Sequence, residues 1–134
     1  MLKKPEIQRV VLVVDDDPAM VRLCERVLQQ AAYRVFTAND GAAALRTMAL
    51  SAVDLVLLDV FMPEKDGFET LNALRRHHPK IPVIAMSGGG FVTTPDDVLA
   101  QCRKLGVNGL LAKPFTDTEL VRAVTDTFGA RRIG

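Results

Sequence analysis

The sequence predicts a single α/β domain in which helices cover both faces of a parallel β-sheet. Short apolar runs alternate with longer segments that repeat apolar residues at helical spacing. Most of the runs are apolar at every position, which is typical of strands covered on both faces. Five such β–α units with short connections favour parallel strands joined by right-handed crossovers. A chain of 134 residues is long enough to bury a core in one such domain.

The five predicted strands are the apolar runs Val10–Val14, Arg34–Thr37, Leu55–Leu58, Val83–Met86 and Gly109–Leu111. After the first run, Asp17 and Pro18 predict a helix N-cap and a first helical residue, because proline lacks the amide hydrogen that this position leaves unpaired. The alanine-rich segment Ala42–Leu50 predicts the second helix. Asp66 and Gly67 lead into the third.

The last two predicted helices have their own boundary signals. Thr94 and Pro95 begin the fourth, and Gly106 suits its C-terminal end. Thr116 and Glu119 match a capping box at the start of the fifth. We find no internal repeat, linker or low-complexity tract. One domain over residues 1–134 is therefore expected, with its core at about 9–128.

Composition and charge argue against several classes of function. A net charge of +1 lacks the basic excess of a surface built for nucleic acid. No apolar run approaches the ~20 residues that span a bilayer, and the first residues lack the apolar stretch of a signal peptide. Cys24 and Cys102 fall in apolar stripes of predicted helices, so we expect buried thiols rather than a disulfide, and a cytoplasmic protein.

Polar residues follow four of the predicted strands. Asp15 and Asp16 follow the first, Asp59 the third, Ser87 the fourth and Lys113 the fifth. In an open parallel sheet such residues meet at the carboxyl edge, where ligands bind. Taken singly, each could be a helix cap or a turn residue. Together, the carboxylates would repel each other unless a cation or a lysine offset their charge, and hard oxygen ligands of this kind suit Mg²⁺.

Four segments resemble the signature segments of response-regulator receiver domains: Val13–Asp17, Leu57–Pro63 with Asp66–Gly67, Met86–Gly88 and Ala112–Phe115. They occur in the family's order, and the resemblance covers roughly Arg9 to Phe128. It implies a five-stranded parallel sheet in the strand order 2-1-3-4-5 with helices on both faces. That order places the first and third strands side by side.

The resemblance also implies a metal site. Asp16 and Asp59 would bind Mg²⁺ directly, together with the main-chain carbonyl of Phe61. Asp15 would hold a metal-bound water.

The same resemblance makes Asp59 the phosphoacceptor. Ser87 and the Gly88 amide would bond phosphoryl oxygens, and Lys113 would pair first with Asp59 and then with the phosphoryl group. Family members often have a cis peptide before the matching proline, so Lys113–Pro114 is a candidate.

Three features depart from the family pattern, one of them the bulky apolar Phe61 two positions after Asp59, which we expect to restrict attacking water and slow hydrolysis of the aspartyl phosphate. Leu110 stands where family members usually have an aromatic residue that reports phosphorylation, so an output switch through such a residue is in doubt. The interval from Ser87 to Lys113 is a few residues longer than usual and includes the glycine-rich stretch Gly88–Thr94, which we hypothesise to rearrange with the helix after it. The alternative is a loop without that role.

The function implied is that of a signalling phosphoacceptor rather than a general enzyme. The phosphoryl donor would be a histidine kinase or a histidine phosphotransfer protein, and the output would pass to a protein target, with no nucleic acid or membrane as direct partner. We expect no output domain after Phe128 within this sequence, which would fit a stand-alone regulator or equally a receiver cut from a larger protein.

Two alternative functions stay open. The first is a phosphorylation-independent scaffold with the same fold, although such scaffolds normally lose one of the site residues. The second is a Mg²⁺-dependent aspartyl phosphohydrolase. Haloacid-dehalogenase-type enzymes carry the nucleophile in an Asp-x-Asp motif on the first strand, whereas Asp59 follows the third predicted strand.

Overall fold

A computed structural model describes residues 8–61, 66–87, 103–104 and 106–133. The strands are β1 (Val10–Val14), β2 (Arg34–Ala38), β3 (Leu55–Asp59), β4 (Val83–Ser87) and β5 (Gly109–Ala112). The helices are α1 (Pro18–Gln30), α2 (Gly41–Leu50), α3 (Asp66–His77) and α4 (Asp117–Ile133). Within the described ranges, no helix has the length and apolar character needed to cross a membrane.

The five strands form one parallel sheet in the order β2-β1-β3-β4-β5. This confirms both the predicted fold class and the strand order implied by the family resemblance. β1 lies beside β3, and β3 lies beside β4 with Asp59 opposite Met86. β4 lies beside β5 with Ser87 opposite Ala112. The strands that precede the acidic residues are therefore neighbours at the centre of the sheet.

Four strands end one residue later than the apolar pattern predicts, at Ala38, Asp59, Ser87 and Ala112. Asp59 and Ser87 were expected to follow their strands, and instead each is the last residue of its strand. The reason is that the ladder is made by backbone amides and carbonyls, so pairing continues through a polar side chain. Apolar content marks where a strand is covered rather than where its pairing stops.

The predicted helix starts are confirmed where they fall in the described ranges. The Asp17 side chain caps α1 by accepting the amide of Ala19 at 3.0 Å. α2 begins at Gly41, one residue before the prediction, since the Asp40 side chain caps it. The helix predicted to begin at Thr94 lies largely outside the described residues.

The capping box of α4 is formed as predicted. The amide of Glu119 donates to Thr116 Oγ1 at 3.1 Å, and the amide of Thr116 donates to Glu119 Oε1 at 2.9 Å. Two amides that would otherwise lack a partner at the start of the helix are thereby satisfied.

The core has two halves, one on each face of the sheet. Alternate residues of β1 point to opposite faces: Leu12 and Val14 join one half, and Val11 and Val13 join the other. The first half is covered by α2 and α3, and the second by α1 and α4. Cys24 lies fully buried in the second half, which confirms the prediction of a buried thiol, while Cys102 lies outside the described residues.

Candidate functional site

The predicted site residues from three strands meet at the carboxyl edge of the sheet. Asp15 follows β1, Asp59 ends β3 and Lys113 follows β5. The Lys113 ammonium lies 2.7 Å from Asp15 Oδ2 and 3.3 Å from Asp59 Oδ2. The pairing of Lys113 with Asp59 implied by the resemblance is therefore present, but the shorter contact is with Asp15.

Asp15 is fully buried, and both its main-chain amide and its carboxylate oxygens are hydrogen-bonded. Its amide donates to the carbonyl of Ala38 at 3.1 Å, which ties it to the end of β2. Its Oδ1 accepts the amide of Asp17 at 3.0 Å, and its Oδ2 accepts from Lys113. Both carboxylate oxygens have a donor, so this side chain is fixed before any ligand arrives.

Asp59 is 4% exposed, and both of its carboxylate oxygens also have donors. Oδ1 accepts the amide of Phe61 at 2.8 Å, and Oδ2 accepts from Lys113. Burial raises the pKa of Asp59, and the Asp15 charge adds to the rise, whereas the Phe61 amide and Lys113 oppose it. Because the net pKa shift is upward, the donors only partly compensate the buried negative charge.

Lys113 stays protonated in this setting. Burial alone would lower the pKa of its ammonium, but the hydrogen bond to Asp15 and the charges of Asp59 and Asp15 outweigh burial and raise it. The main chain of Lys113 is held as well, since its amide donates to the carbonyl of Ser87 at 2.8 Å. The peptide bond between Lys113 and Pro114 is cis, as the resemblance suggested.

The acidic cluster fits a divalent cation. Asp15, Asp16 and Asp59 each offer one carboxylate oxygen, and these oxygens lie within 4.8 Å of one another. Asp16 is exposed, whereas Asp15 and Asp59 are buried. Among the residues that the structure describes, Lys113 is the one cation paired with this cluster of three carboxylates, which leaves a net negative charge, and hard oxygen donors are the ligands that Mg²⁺ prefers.

The remaining predicted site residues are Ser87, Gly88 and Phe61. Ser87 is half-buried at the end of β4, on the same sheet edge as Asp59. Gly88, predicted to add an amide to the site, lies outside the described residues, as does the stretch after it. The ring of Phe61 packs edge-on against Phe68 of α3, with ring centroids 6.4 Å apart.

Gly67 supports the site in a way that the sequence reading missed. A Cβ atom built on Gly67 would lie 2.5 Å from the Asp59 carbonyl oxygen and 2.5 Å from Val60 Cα. The first turn of α3 therefore packs backbone against backbone on the end of β3, and only glycine fits there. The Asp66–Gly67 pair was the available signal, but it was interpreted only as a helix start and as part of a family signature segment.

Two further residues near the site have unusual surroundings. Burial, with a smaller contribution from the Asp15 charge, raises the pKa of the Cys24 thiol to about 12, so this cysteine is a packing residue rather than a nucleophile. Leu110, which stands where the resembling family usually has an aromatic residue, is 40% exposed on the edge strand β5.

Comparisons with known proteins agree with this geometry. A family model described as the response regulator receiver domain matches residues 11–125. The transcriptional regulatory protein CpxR of Escherichia coli is 40% identical over 114 residues, which cover 85% of this chain and 47% of CpxR. Transcription factor SKN7 of Candida albicans is 36% identical over 110 residues, covering 82% of this chain and 19% of SKN7. The chain thus spans half the length of these relatives or less.

Solved structures share the fold. The chemotaxis protein CheY4 of Vibrio cholerae superposes with a TM-score of 0.82 at 29% identity, covering 90% of this chain and 99% of that one. A CheY-like receiver domain protein of Methanospirillum hungatei superposes with a TM-score of 0.83 at 20% identity, covering 96% and 100% of the two chains. The latter likeness concerns the fold alone.

Proposed function

Because the chain belongs to the response regulator receiver domain family, we propose that it accepts a phosphoryl group on Asp59 within a two-component signalling pathway. One observation carries the proposal. The Asp59 carboxylate lies at the carboxyl edge of the sheet with Lys113 at 3.3 Å and Asp15 beside it, and its pKa is raised mainly by burial. A buried carboxylate with a raised pKa and a specific cationic partner at a sheet edge is a candidate functional residue.

The donor in this proposal is a phosphohistidine of a histidine kinase or of a histidine phosphotransfer protein. A carboxylate oxygen of Asp59 attacks the phosphorus atom, the new O–P bond forms as the P–N bond breaks, and the electron pair of that bond goes to the imidazole nitrogen. A carboxylate is a nucleophile in its ionised form, so the step needs no general base. The amide of Phe61 and the ammonium of Lys113 orient the two Asp59 oxygens.

Asp16, Asp59 and the main-chain carbonyl of Phe61 would hold Mg²⁺, with Asp15 on a metal-bound water. When bound, the ion supplies charge neutralisation for the phosphoryl oxygens. The protein adds its own donors: Lys113, the hydroxyl of Ser87 and the amide of Gly88 would bond those oxygens. Lys113 already lies between two carboxylates, so a small movement of its side chain would exchange the Asp59 contact for a phosphoryl contact.

We assign no reaction to the chain beyond its own phosphorylation and dephosphorylation. In the latter, water attacks the phosphorus atom, the Asp59 O–P bond breaks and inorganic phosphate leaves. The signal would pass to a protein target, without direct nucleic-acid or membrane contact by this domain, and the cytoplasm is the expected location. If the chain is part of a longer regulator, other segments of that regulator would deliver its output.

Intact mass spectrometry after incubation with Mg²⁺ and acetyl phosphate tests the proposal. We expect the wild type to gain the mass of one phosphoryl group and Asp59→Asn to gain none. Asp126→Asn makes the same chemical change at an exposed position of α4 and is expected to behave like the wild type. An unmodified wild type would favour the scaffold alternative, and Asp59-dependent turnover of a generic phosphomonoester would favour the phosphohydrolase.

A further inference from the structure

Two pairs of neighbouring strands begin with the same pattern of hydrogen bonds, at the sheet edge opposite the site. Asp54 precedes β3: its amide donates to the carbonyl of Val10 at 2.9 Å, and its Oδ2 accepts the amide of Val10 at 2.8 Å. Asn108 precedes β5: its amide donates to the carbonyl of Val83 at 2.8 Å, and its Oδ1 accepts the amide of Val83 at 2.9 Å. We call these the β1–β3 bridge and the β4–β5 bridge.

The two bridges lie in strands whose register is specified to different degrees. β1 and β3 are buried central strands, and every residue of β3 is buried. A slip by one residue there would exchange the β3 side chains between two closely packed halves of the core, and close packing opposes such a change of shape, so packing by itself sets the register. β5 is a four-residue edge strand in which Leu110 and Ala112 are exposed and Leu111 is buried. Burial therefore specifies the β5 register only weakly.

The register of β5 decides where Lys113 lies. Lys113 directly follows β5, and its amide donates to the carbonyl of Ser87, the last residue of β4. The β4–β5 bridge is at the other end of the same strand pair, five residues from Lys113, which is roughly 16 Å of extended chain. A one-residue slip would carry the ammonium away from Asp15 and Asp59.

A third side chain reinforces the β4–β5 bridge. Arg75 of α3 donates to the carbonyls of Ile81 at 2.7 Å and Gly106 at 2.8 Å, which lie just before β4 and β5. Its guanidinium also lies 3.4 Å from Asn108 Oδ1. Arg75 thereby links α3 to the segments immediately before β4 and β5. The β1–β3 bridge has no comparable arginine contact among those observed in the described part of the chain.

We propose that Asn108 is a positioning residue for Lys113: through the β4–β5 bridge it sets the register of β5 and so holds the ammonium between the two acidic side chains of the site. The proposal rests on the proposed function in one respect, namely that Lys113 serves phosphoryl transfer. The positioning itself concerns only the hydrogen bonds of Asn108 and the register they set.

The test compares Asn108→Leu, which removes the acceptor at similar size, with Asn108→Asp, which keeps it. Asp54→Leu is the matched control, because it removes the same acceptor from the β1–β3 bridge. The first readout is amide exchange by NMR. We expect the Lys113 amide to exchange about tenfold faster or more in Asn108→Leu, and at nearly the wild-type rate in Asn108→Asp and Asp54→Leu.

The second readout is the rate of phosphorylation by acetyl phosphate at saturating Mg²⁺. Asn108→Leu is expected to be slower by about tenfold or more, since small misplacements of a reacting or stabilising group cost at least that much. Asn108→Asp should restore the rate. Asp54→Leu should stay close to wild type even if its melting temperature falls as far as that of Asn108→Leu.

The third readout is the Mg²⁺ dissociation constant, and its sign separates positioning from general loosening. The acidic cluster lies at the carboxyl ends of β1 and β3, and Lys113 competes with a cation for the Asp15 and Asp59 carboxylates. A displaced Lys113 should leave Mg²⁺ binding as tight as in the wild type or tighter. General loosening of the fold would weaken it.

Wild-type Lys113 exchange and an unchanged phosphorylation rate in Asn108→Leu would overturn the proposal. The proposal would also be overturned if Asn108→Leu and Asp54→Leu lost phosphorylation rate and Mg²⁺ affinity alike, each in proportion to its loss of stability. If Asn108→Leu does not fold, Asn108→Ala removes the acceptor with a smaller side chain and is judged by the same readouts. If the wild type takes up no phosphoryl group, the proposed function fails, while amide exchange and Mg²⁺ affinity still decide the positioning role.

Discussion

At the residue scale, the site sets two buried carboxylates, Asp15 and Asp59, around one ammonium group. Burial raises the pKa of Asp59, and the Asp15 charge adds to the rise, so the ionised form of Asp59 lowers the stability of the metal-free protein. The same imbalance makes the site receptive to a cation. Stability and ligand binding therefore oppose each other at this residue.

We expect Asp59→Asn to be more stable than the wild type by about 1 kcal/mol at pH 7 in EDTA. The asparagine side chain is nearly equal in size to aspartate, but it is neutral, so the substitution removes a buried charge. Urea unfolding followed by circular dichroism measures the difference. Asp126→Asn, at an exposed position, should have the same free energy of unfolding as the wild type. A less stable Asp59→Asn would mean that Lys113 compensates the charge completely.

Gly67 offers a second prediction at this scale. In an exposed helix, replacing glycine with alanine stabilises by about 1 kcal/mol. At Gly67 the new Cβ would meet the backbone of Asp59 and Val60 at 2.5 Å, and backbone atoms cannot move aside cheaply. Gly67→Ala is expected to destabilise by about 1–3 kcal/mol, as overpacking does, and to slow phosphorylation of Asp59.

Gly129 is the matched control in α4, since a Cβ built there has no heavy atom within 4 Å. Gly129→Ala should be as stable as the wild type or more stable, with an unchanged phosphorylation rate. Thermal unfolding of both variants and mass spectrometry after acetyl phosphate treatment give the comparison. Equal behaviour of the two alanine variants would contradict the close approach of α3 to β3.

At the scale of elements, side-chain caps determine where the helices begin. Asp17, Asp40 and the Thr116–Glu119 capping box each supply an oxygen to amides that the first turn leaves unpaired. These residues precede apolar helical repeats in the sequence, so their effect is local. Helix starts were consequently predicted to within one residue for α1 and α2.

The capping box of α4 predicts a pH dependence. The amide of Thr116 lowers the pKa of Glu119 below its ordinary value of 4.5. A carboxyl group with a lowered pKa in the folded state stabilises fully above its unfolded pKa, and this contribution is lost as the pH falls through the folded pKa. Glu119→Ala should therefore be less stable than the wild type at pH 7, and the gap should narrow below pH 4.5.

Denaturant unfolding at pH 7 and at decreasing pH measures that gap. Glu119→Gln is the control, because its amide oxygen can also accept from Thr116 but does not titrate in this range. The difference in stability between Glu119→Gln and Glu119→Ala should therefore stay constant as the pH falls, whereas the difference between the wild type and Glu119→Ala should narrow. A gap between the wild type and Glu119→Ala that is constant with pH would contradict the ionic capping box.

At the scale of the whole molecule, the two-sided core and the strand order bring four strand ends to one edge. The Asp15, Asp16 and Asp59 carboxylates meet there because β1 and β3 are adjacent. A ligand that binds only the folded arrangement stabilises the entire domain by mass action. Metal binding and global stability are therefore linked.

We expect Mg²⁺ at ten times its dissociation constant to raise the free energy of unfolding by about 1.4 kcal/mol. Asp16→Asn should respond less and should be the more stable protein in EDTA, since it removes one of the repelling charges. Thermal melts with MgCl₂, against NaCl at matched ionic strength, test both statements. A wild-type melting temperature indifferent to millimolar Mg²⁺ would count against the metal site.

Much of the fold was readable from local sequence. The predicted runs matched the start of every strand. For β1, β3 and β4 the reason is burial on both faces, which requires apolar residues at consecutive positions. The last residues of β3 and β4, Asp59 and Ser87, were not readable, since backbone pairing ignores side-chain polarity. Gly67 shows the same limit. Its close approach to β3 depends on how α3 lies on the sheet, which no local pattern expresses.

By itself, the sequence determined the fold class, the helix caps at Asp17 and Thr116, and the set of polar residues that could reach one sheet edge. These follow from local periodicity and from the rule that parallel strands end together. Only the tertiary structure decided that Lys113 lies closer to Asp15 than to Asp59, and that Asn108 joins β5 to β4 at the opposite edge. Such contacts depend on register and packing between segments far apart in the chain, where a shift of one residue changes every distance.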